Sequence, residues 1–459
     1  MNSNARQWVN YNHAFSRSLC TFRRVRGMKD LYGEEIHRHE FVSQTLHSIV
    51  TRYGFQKIQT PVVEYTNLYT RSLGADSDIV NKEMYTFQDK SGDSVSLRPE
   101  GTAGVIRALR DGNLVSTLPR KVFYIGNMYR YERPQRGRFR EFQQFGVEYV
   151  GCTSPSVDVE VLMMADRCLR ALGMRERTEL HINTLGDAER FVPSADVMIL
   201  ISALCSRLRY KQALGDYFSS RLRLLSSDSQ LRFERGNILR ILDSKNHQDQ
   251  DVISSAPSFD QYLSRFASER FEAVQSGLQE LGVDFVHNSR LVRGLDYYCD
   301  TVFEFVEKDQ SSTVKMALFA GGCYESLMVS VGGSKLLCIG WAAGIDRLCL
   351  LSNLIPSSTT SLFIISLPSA SRNLQPKAFE IAEKLREQGL IVHLSHGNDQ
   401  LKKQLKTADR LKCDYTVFLG DQEFKAAQVR VKNMQSGEQQ TIAWSQLDQI
   451  YSQLIRPAK

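Results

Sequence analysis

The chain has 459 residues, 42% hydrophobic and 24% charged, with a formal charge of +7 from 58 basic and 51 acidic side chains. This is globular composition at a length of about three domains, which excludes a disordered chain and a collagen. A multispanning membrane protein is excluded as well: a spanning helix needs ~20 apolar residues, and the most apolar run, Val197 to Cys205, is short and broken by Ser202.

The first 28 residues carry five arginines (Arg6, Arg17, Arg23, Arg24, Arg26) and neither Asp nor Glu. Any polyanion site further along must therefore come from local clustering. Trp8, Tyr11, Phe15 and Leu19 recur at three- and four-residue steps among arginines and serines. An amphipathic, acid-free, Arg-rich start is the pattern of a transit peptide. Residues 1–26 are expected to direct the chain to the mitochondrial matrix. The alternatives are a disordered basic tail, import into a plastid-type organelle, a cytoplasmic protein, or service in both compartments.

Ile36, Phe41, Leu46, Ile49 and Val50 predict a helix over 34–53, closed by Gly54. Phe55 to Ile58 and Val62-Val63 read as extended chain broken by Pro61. From 84 to 151, the runs Tyr85 to Phe87, Val95 to Leu97, Lys121 to Ile125 and Phe142 to Val150 predict a mostly antiparallel sheet. Residues 186–285, rich in Leu, Arg, Ser and Asp at helical spacing, predict an inserted helical domain. Thr301 to Glu307, Lys315 to Phe319 and Leu327 to Val331 return to sheet, and Leu336 to Ser352 predicts a helix carrying Arg347.

Residues 352–361 read as a linker. Beyond it, strands at Leu362 to Leu367, Leu390 to Leu394 and Tyr415 to Leu419 alternate with helices over 374–388 and Leu401 to Leu411. A hairpin at Ser436-Gly437 and a last helix complete an α/β domain over 362–459. The nine cysteines are odd in number and form no CxxC, so they read as reduced thiols, and no metal centre is predicted.

Four segments could carry chemistry. Tyr129 to Glu148 packs Arg130, Arg133, Arg136, Arg138 and Arg140 into eleven residues among aromatics, with Pro134 and Gly137 marking a loop. Strand, basic loop and strand suit phosphate recognition, because guanidinium forks grip phosphate oxygens and an aromatic such as Phe142 can stack on a base. Leu291 to Tyr298 (LVRGLDYY) and Gly340 to Leu348 (GWAAGIDRL) each present one arginine, and Leu97 to Thr102 (LRPEGT) places a carboxylate and a hydroxyl at a turn suited to an ammonium group.

In this order the four segments resemble the class II aminoacyl-tRNA synthetases, and among them the histidyl-tRNA synthetases. Gly54 to Pro61 resembles the first class II motif, Tyr129 to Glu132 the second and Gly344 to Leu348 the third. LVRGLDYY and Gly321 to Leu327 resemble two signatures of the histidine enzymes, and the Arg-Pro-Gln-Arg-Gly-Arg loop resembles the bacterial type. The resemblance covers about 27–459. It implies an α+β fold: a class II catalytic core over 27–351 built on an antiparallel sheet with helices, a helical insertion domain at about 186–285, and a C-terminal α/β anticodon-binding domain.

The resemblance also implies a reaction, ligation of L-histidine to histidine tRNA through a histidyl-adenylate, with ATP as substrate, Mg²⁺ bridging its phosphates, and a homodimer built at the first motif. It assigns Arg130 to the α-phosphate, Arg347 to the terminal phosphate, and Arg293 to the α-phosphate and substrate carboxylate. Phe142 would stack on adenine, and Glu132 would contact adenine or hold the loop. Glu148 would accept from the imidazole, Glu100, Thr102 and Gln144 would hold the α-amino group, Tyr297 and Tyr298 would close the pocket over the ring, and Gly101 and Tyr324 would also bind histidine. Arg136 and Arg138 are expected to meet the 5′ end of the tRNA. Cys323, Glu325 and Ser326 depart from the second signature, Cys299 and Asp300 replace more usual residues after the two tyrosines, and residues 190–209 look like extra sequence. Two other readings are a non-catalytic histidine or tRNA sensor, and a class II enzyme for another amino acid. Three retained arginines and an anticodon-type domain argue against the first, LVRGLDYY and Glu148 against the second.

Overall fold

The computed structural model describes residues 22–449 except 75–76, 188–205, 245, 294, 296, 309–315, 353, 355–359, 368, 370–372 and 397–399. Most of the transit-peptide segment, most of the 190–209 sequence and most of the linker thus lie outside the described residues. The chain divides into two compact units, Met1–Ile355 and Pro356–Lys459.

The strands of the first unit are β1 (Gln56–Lys57), β2 (Val63–Tyr65), β3 (Thr86–Gln88), β4 (Ser94–Leu97), β5 (Arg120–Tyr129), β6 (Glu141–Val150), β7 (Thr178–Thr184), β8 (Val286–His287), β9 (Tyr298–Glu307), β10 (Ala317–Tyr324) and β11 (Cys338–Gly344). Eight of them form one sheet in the order β1-β5-β6-β11-β10-β9-β7-β8, antiparallel except at its two outer pairs. β2, β4 and β3 form a small separate sheet.

Side chains alternate across the large sheet, as the pleat requires. Phe123, Phe145, Val147, Phe303, Phe305, Phe319 and Trp341 fill one face, against the helices Glu34–Arg52, Pro155–Ala171 and Arg265–Glu280. Phe123 and Phe145 stack at 5.4 Å, and each such buried ring stabilises the fold by about 2 kcal/mol. The other face carries Val122, Tyr124, Met128, Val302 and Tyr324 and packs on the shorter helices Thr66–Leu73 and Thr102–Asp111. This second face bears the site.

Several local readings change. The 84–151 stretch is not all sheet: Ala103, Val105, Ile106 and Leu109 line one side of the helix Thr102–Asp111 and bury it. Leu327–Ser330 is a short helix, because Leu327 and Met328 turn into the core where a strand would expose one of them. The predicted helix over Leu336 to Ser352 is strand β11 followed by the helix Ile345–Leu351. Gly340, Ala342 and Gly344 alternate along β11, so the two-residue period wins up to Gly344.

The helix Arg265–Glu280, read with the insertion, buries Phe271, Val274 and Leu278 in the main core. The insertion has its own small core of Tyr210, Leu214, Phe218, Leu225, Ile241 and Phe259. The second unit holds β12 (Ser361–Ser366), β13 (Ile391–Leu394), β14 (Tyr415–Leu419), β15 (Gln428–Asn433) and β16 (Gln439–Ala443) in the order β13-β12-β14-β15-β16. Ala378, Ile381 and Leu385 of Gln375–Glu387 cover one face, and Ala408 of Leu401–Arg410 covers the other. The expected last helix is a short 3₁₀ turn, Trp444–Gln449, as far as the described residues run.

Candidate active site

The site face of β5, β6, β10 and β11 opens into a cleft of about 980 Å³, its mouth included. Of the residues singled out in the sequence, Arg130, Arg293, Arg347, Glu100, Thr102, Glu132, Arg138, Phe142, Gln144, Glu148, Tyr297, Tyr298 and Tyr324 line it. Gly101 and Arg136 do not. A Cβ at Gly101 would overlap the Tyr124 ring, so this glycine serves by letting Tyr124 in. Arg136 is exposed on the loop between β5 and β6.

At the deep end lies Glu148, 2% exposed. The Tyr324 hydroxyl donates to its Oε2 at 2.7 Å. Burial pushes its carboxyl up to about 8; hydrogen bonds from Tyr324 and Thr102 oppose the shift, and the Glu100 carboxylate adds to it. Tyr297 and Tyr298 pack ring to ring at 4.6 Å, and Tyr297 meets Tyr324 edge-on at 5.5 Å, forming an aromatic wall beside that carboxyl. Gly340 sits opposite Glu148 on β11, where a Cβ would overlap both the carboxyl and the Val147 carbonyl.

Two site residues were not singled out in the sequence. The Tyr124 hydroxyl donates to Gln144 Oε1 at 3.2 Å. Glu304 of β9 pairs with Arg293. Period-2 alternation from Val122 and Gly126 puts Tyr124 on the site face, and the same count along β9 finds Glu304 opposite Ala320. Glu100 lines the cleft and has a structural role besides the expected one. Its two carboxylate oxygens accept from the backbone N–H groups of Thr102 at 2.7 Å and Ala103 at 2.8 Å, capping the helix Thr102–Asp111. Burial raises its carboxyl as well.

The cationic end is built by three elements. Arg130, at the end of β5, donates to the Pro99 carbonyl at 2.8 Å and lies over Phe142 at 5.3 Å. Glu132 sits between guanidiniums, 3.9 Å from Arg130 and 3.5 Å from Arg138. Arg347, on the first turn of Ile345–Leu351, donates to the carbonyls of Gly137 at 3.1 Å and Ala317 at 2.8 Å. Burial and then the nearby Arg138 and Arg130 lower its affinity for a proton, marking excess positive charge. Burial pulls Arg293 the same way, but the Glu304 carboxylate together with Tyr298 and Tyr297 outweighs it. Such a cluster holds a polyanion.

The departures from the second signature lie elsewhere. Cys323 faces away from the cleft, within hydrogen-bond reach of Asp158 at 3.4 Å, beside the Asp158–Arg270 pair at 2.8 Å. Glu325 pairs with Lys335 at 2.9 Å. Among the described residues, no group of three or more His, Cys, Asp or Glu is placed to hold a metal ion, and no helix is long and apolar enough to cross a membrane.

The histidyl-tRNA synthetase family model matches residues 27–348, and an anticodon-binding-domain model matches 361–453. The histidine–tRNA ligase of Gluconobacter oxydans is 40% identical over 428 residues, 93% of this chain and 97% of that protein. The one from Rhodospirillum rubrum is 39% identical over 437 residues, 95% of this chain and 100% of that protein. The solved structure of apo S. aureus histidyl-tRNA synthetase is similar at a TM-score of 0.74 and 30% identity, over 94% of this chain and 99% of that one.

Proposed function

The chain belongs to the histidyl-tRNA synthetase family, and we propose that it is a histidine–tRNA ligase whose adenylation site is the cleft on the polar face of the large sheet. The observation that carries this reading is one cavity with a carboxyl in an aromatic pocket at one end and three arginines from separate elements at the other. That is the arrangement needed to set a histidine carboxylate against the α-phosphate of ATP.

In the first step the carboxylate attacks the α-phosphorus, and pyrophosphate leaves. The protein contributes position and positive charge. Arg130 and Arg293 face the developing charge on the α-phosphate, and Arg347 holds the departing end. Phe142, already under the Arg130 guanidinium, stacks on adenine, with Glu132 at its edge. Glu148 pairs with the imidazole, and Tyr297, Tyr298 and Tyr324 close round it. Thr102 and Gln144 receive the α-amino group, with Glu100 supporting them through the helix cap. A pocket built to pair a ring N–H rejects side chains that leave its polar groups unpaired.

In the second step the ribose hydroxyl at the 3′ end of the tRNA takes the histidyl group and releases AMP. Arg136, exposed on the loop, is the better placed of the two loop arginines to meet the tRNA. Mg²⁺ keeps most of its waters and binds through substrate phosphates with one or two carboxylates. Glu132 and Asp346 line the cleft and suit that role; when bound, the ion neutralises phosphate charge.

A homodimer is the proposed assembly, supported by exposed Val62, Val63, Tyr65 and Phe87 around the segment that resembles the first class II motif. Import into mitochondria is proposed from the arginine-rich start alone. ATP–pyrophosphate exchange with each amino acid in turn, then charging of histidine tRNA, tests the function. Exchange with histidine only, followed by charging, supports it; exchange with another amino acid, or none with histidine, refutes it.

A further inference from the structure

The stretch from Gly27 to the helix Glu34–Arg52 crosses the back of the basic loop. Residues 22–26 are exposed, whereas Gly27, Met28 and Lys29 are half-buried. The Gly27 carbonyl accepts from the Arg140 N–H at 2.8 Å, and the Arg140 carbonyl accepts from the Arg130 N–H at 2.9 Å. Two peptide hydrogen bonds thus run in series from the N-terminal segment to Arg130. Gly27 is in the left-handed region, with φ +86°. A Cβ there would stand 2.9 Å from Arg140 Cγ and 3.0 Å from Pro134 Cγ, so the close approach needs glycine.

A second attachment lies two residues on. The Lys29 ammonium sits 4.0 Å from the centre of the Phe139 ring, and Phe139 lines the cleft. Lys29 is anchored in turn by Glu35 at 2.9 Å, in the first turn of a helix whose Val42, Leu46 and Val50 are buried in the main core. The loop is therefore tied to the core through the N-terminal segment. Arg140 completes the tie by stacking on Tyr131 at 3.6 Å and donating to the Glu132 carbonyl at 3.2 Å.

We propose that Gly27 and Lys29 are positioning residues for ATP: they strap residues 139–140, and through them Arg130, into the pose that meets the triphosphate. The inference rests on the cleft being the adenylation site. Neither residue approaches the deep pocket, so the strap acts on ATP and leaves histidine recognition alone.

The test uses the full chain with Gly27→Val, Lys29→Ala and Lys29→Arg, assayed by histidine-dependent ATP–pyrophosphate exchange over ranges of ATP and of histidine, with Tm measured alongside. Loss of the cation–ring contact should raise the KM for ATP about threefold in Lys29→Ala, and Lys29→Arg should restore it. Gly27→Val moves the backbone itself and should raise it about tenfold or more. The KM for histidine should not change. An unchanged KM for ATP in folded variants overturns the proposal, as does a parallel rise in both KM values. If Gly27→Val does not fold, the Lys29 pair decides alone. Absence of exchange in the unsubstituted chain would instead count against the adenylation reading.

Discussion

Replacing Glu148 with Gln should make the protein more stable in alkali and less able to use histidine. Unfolded, this carboxyl titrates near 4.5, while in the folded pocket burial holds it at about 8. Between those values the folded state keeps a proton that the unfolded state has released. Stability therefore falls as pH rises from about 4.5 to about 8, and levels off above. At ~1.36 kcal/mol per pH unit, the cost in the wild type reaches roughly 5 kcal/mol at most. Gln cannot ionise but still accepts from Tyr324, so it escapes this cost. The difference in Tm, Glu148→Gln variant minus wild type, should be near zero at pH 5 and several degrees positive at pH 8.5, at about 1 °C per kcal/mol for a chain of this length. Above pH 8, where the carboxyl is ionised, the kcat/KM for histidine should fall about 10- to 150-fold, the worth of a charged hydrogen bond, with the KM for ATP little changed. Differential scanning calorimetry across pH and pyrophosphate exchange read the two effects. A Tm difference that does not vary with pH, or an undiminished kcat/KM for histidine, would refute the reasoning.

Gly340→Ala should fill the space taken by the Glu148 carboxyl and the Val147 carbonyl. Overpacking of this kind costs about 1–3 kcal/mol, so Tm should drop and the KM for histidine should rise about tenfold or more. The two loop arginines should part company. Arg136→Glu should raise the KM for tRNA in the charging assay while leaving exchange intact, whereas Arg138→Glu, which breaks the pair with Glu132 inside the cleft, should impair exchange as well. Equal effects of the two substitutions on exchange would contradict the difference in placement.

The site was more legible in the sequence than the fold around it. Arg130, Arg293 and Arg347 are spread over more than two hundred residues, yet each stands in a short segment whose composition is distinctive, and all three line one cleft. What was missed needed the pleat. Tyr124 and Glu304 reach the site only because the sheet sets them on the same face as Gln144 and Tyr324. Glu100 also caps a helix, which was not legible, since nothing local shows that Thr102 opens a helix whose first N–H groups need an acceptor. The segment from Leu336 to Ser352 reads as one helix in the sequence because glycine and alanine fit both periods. Only the sheet neighbours β6 and β10 fix it as strand up to Gly344. Cys323 departs from the second signature, and alternation turns it away from the cleft into the core beside Asp158.

The central claim is that this cleft activates histidine with ATP, and Arg293 is the residue on which it can be tested most sharply. Its guanidinium is held by Glu304 and lies 5.5 Å from the centre of the Tyr298 ring. Histidine-dependent ATP–pyrophosphate exchange should therefore be measured for the wild-type chain and for Arg293→Ala, with histidine binding followed by calorimetry in both. The expected result is exchange in the wild type and its loss by about a hundredfold or more in the variant, with histidine still bound, because one charge-stabilising group at a reacting centre is worth about that much. Exchange that survives in Arg293→Ala, or a wild-type chain that binds histidine without exchanging pyrophosphate, would contradict the account.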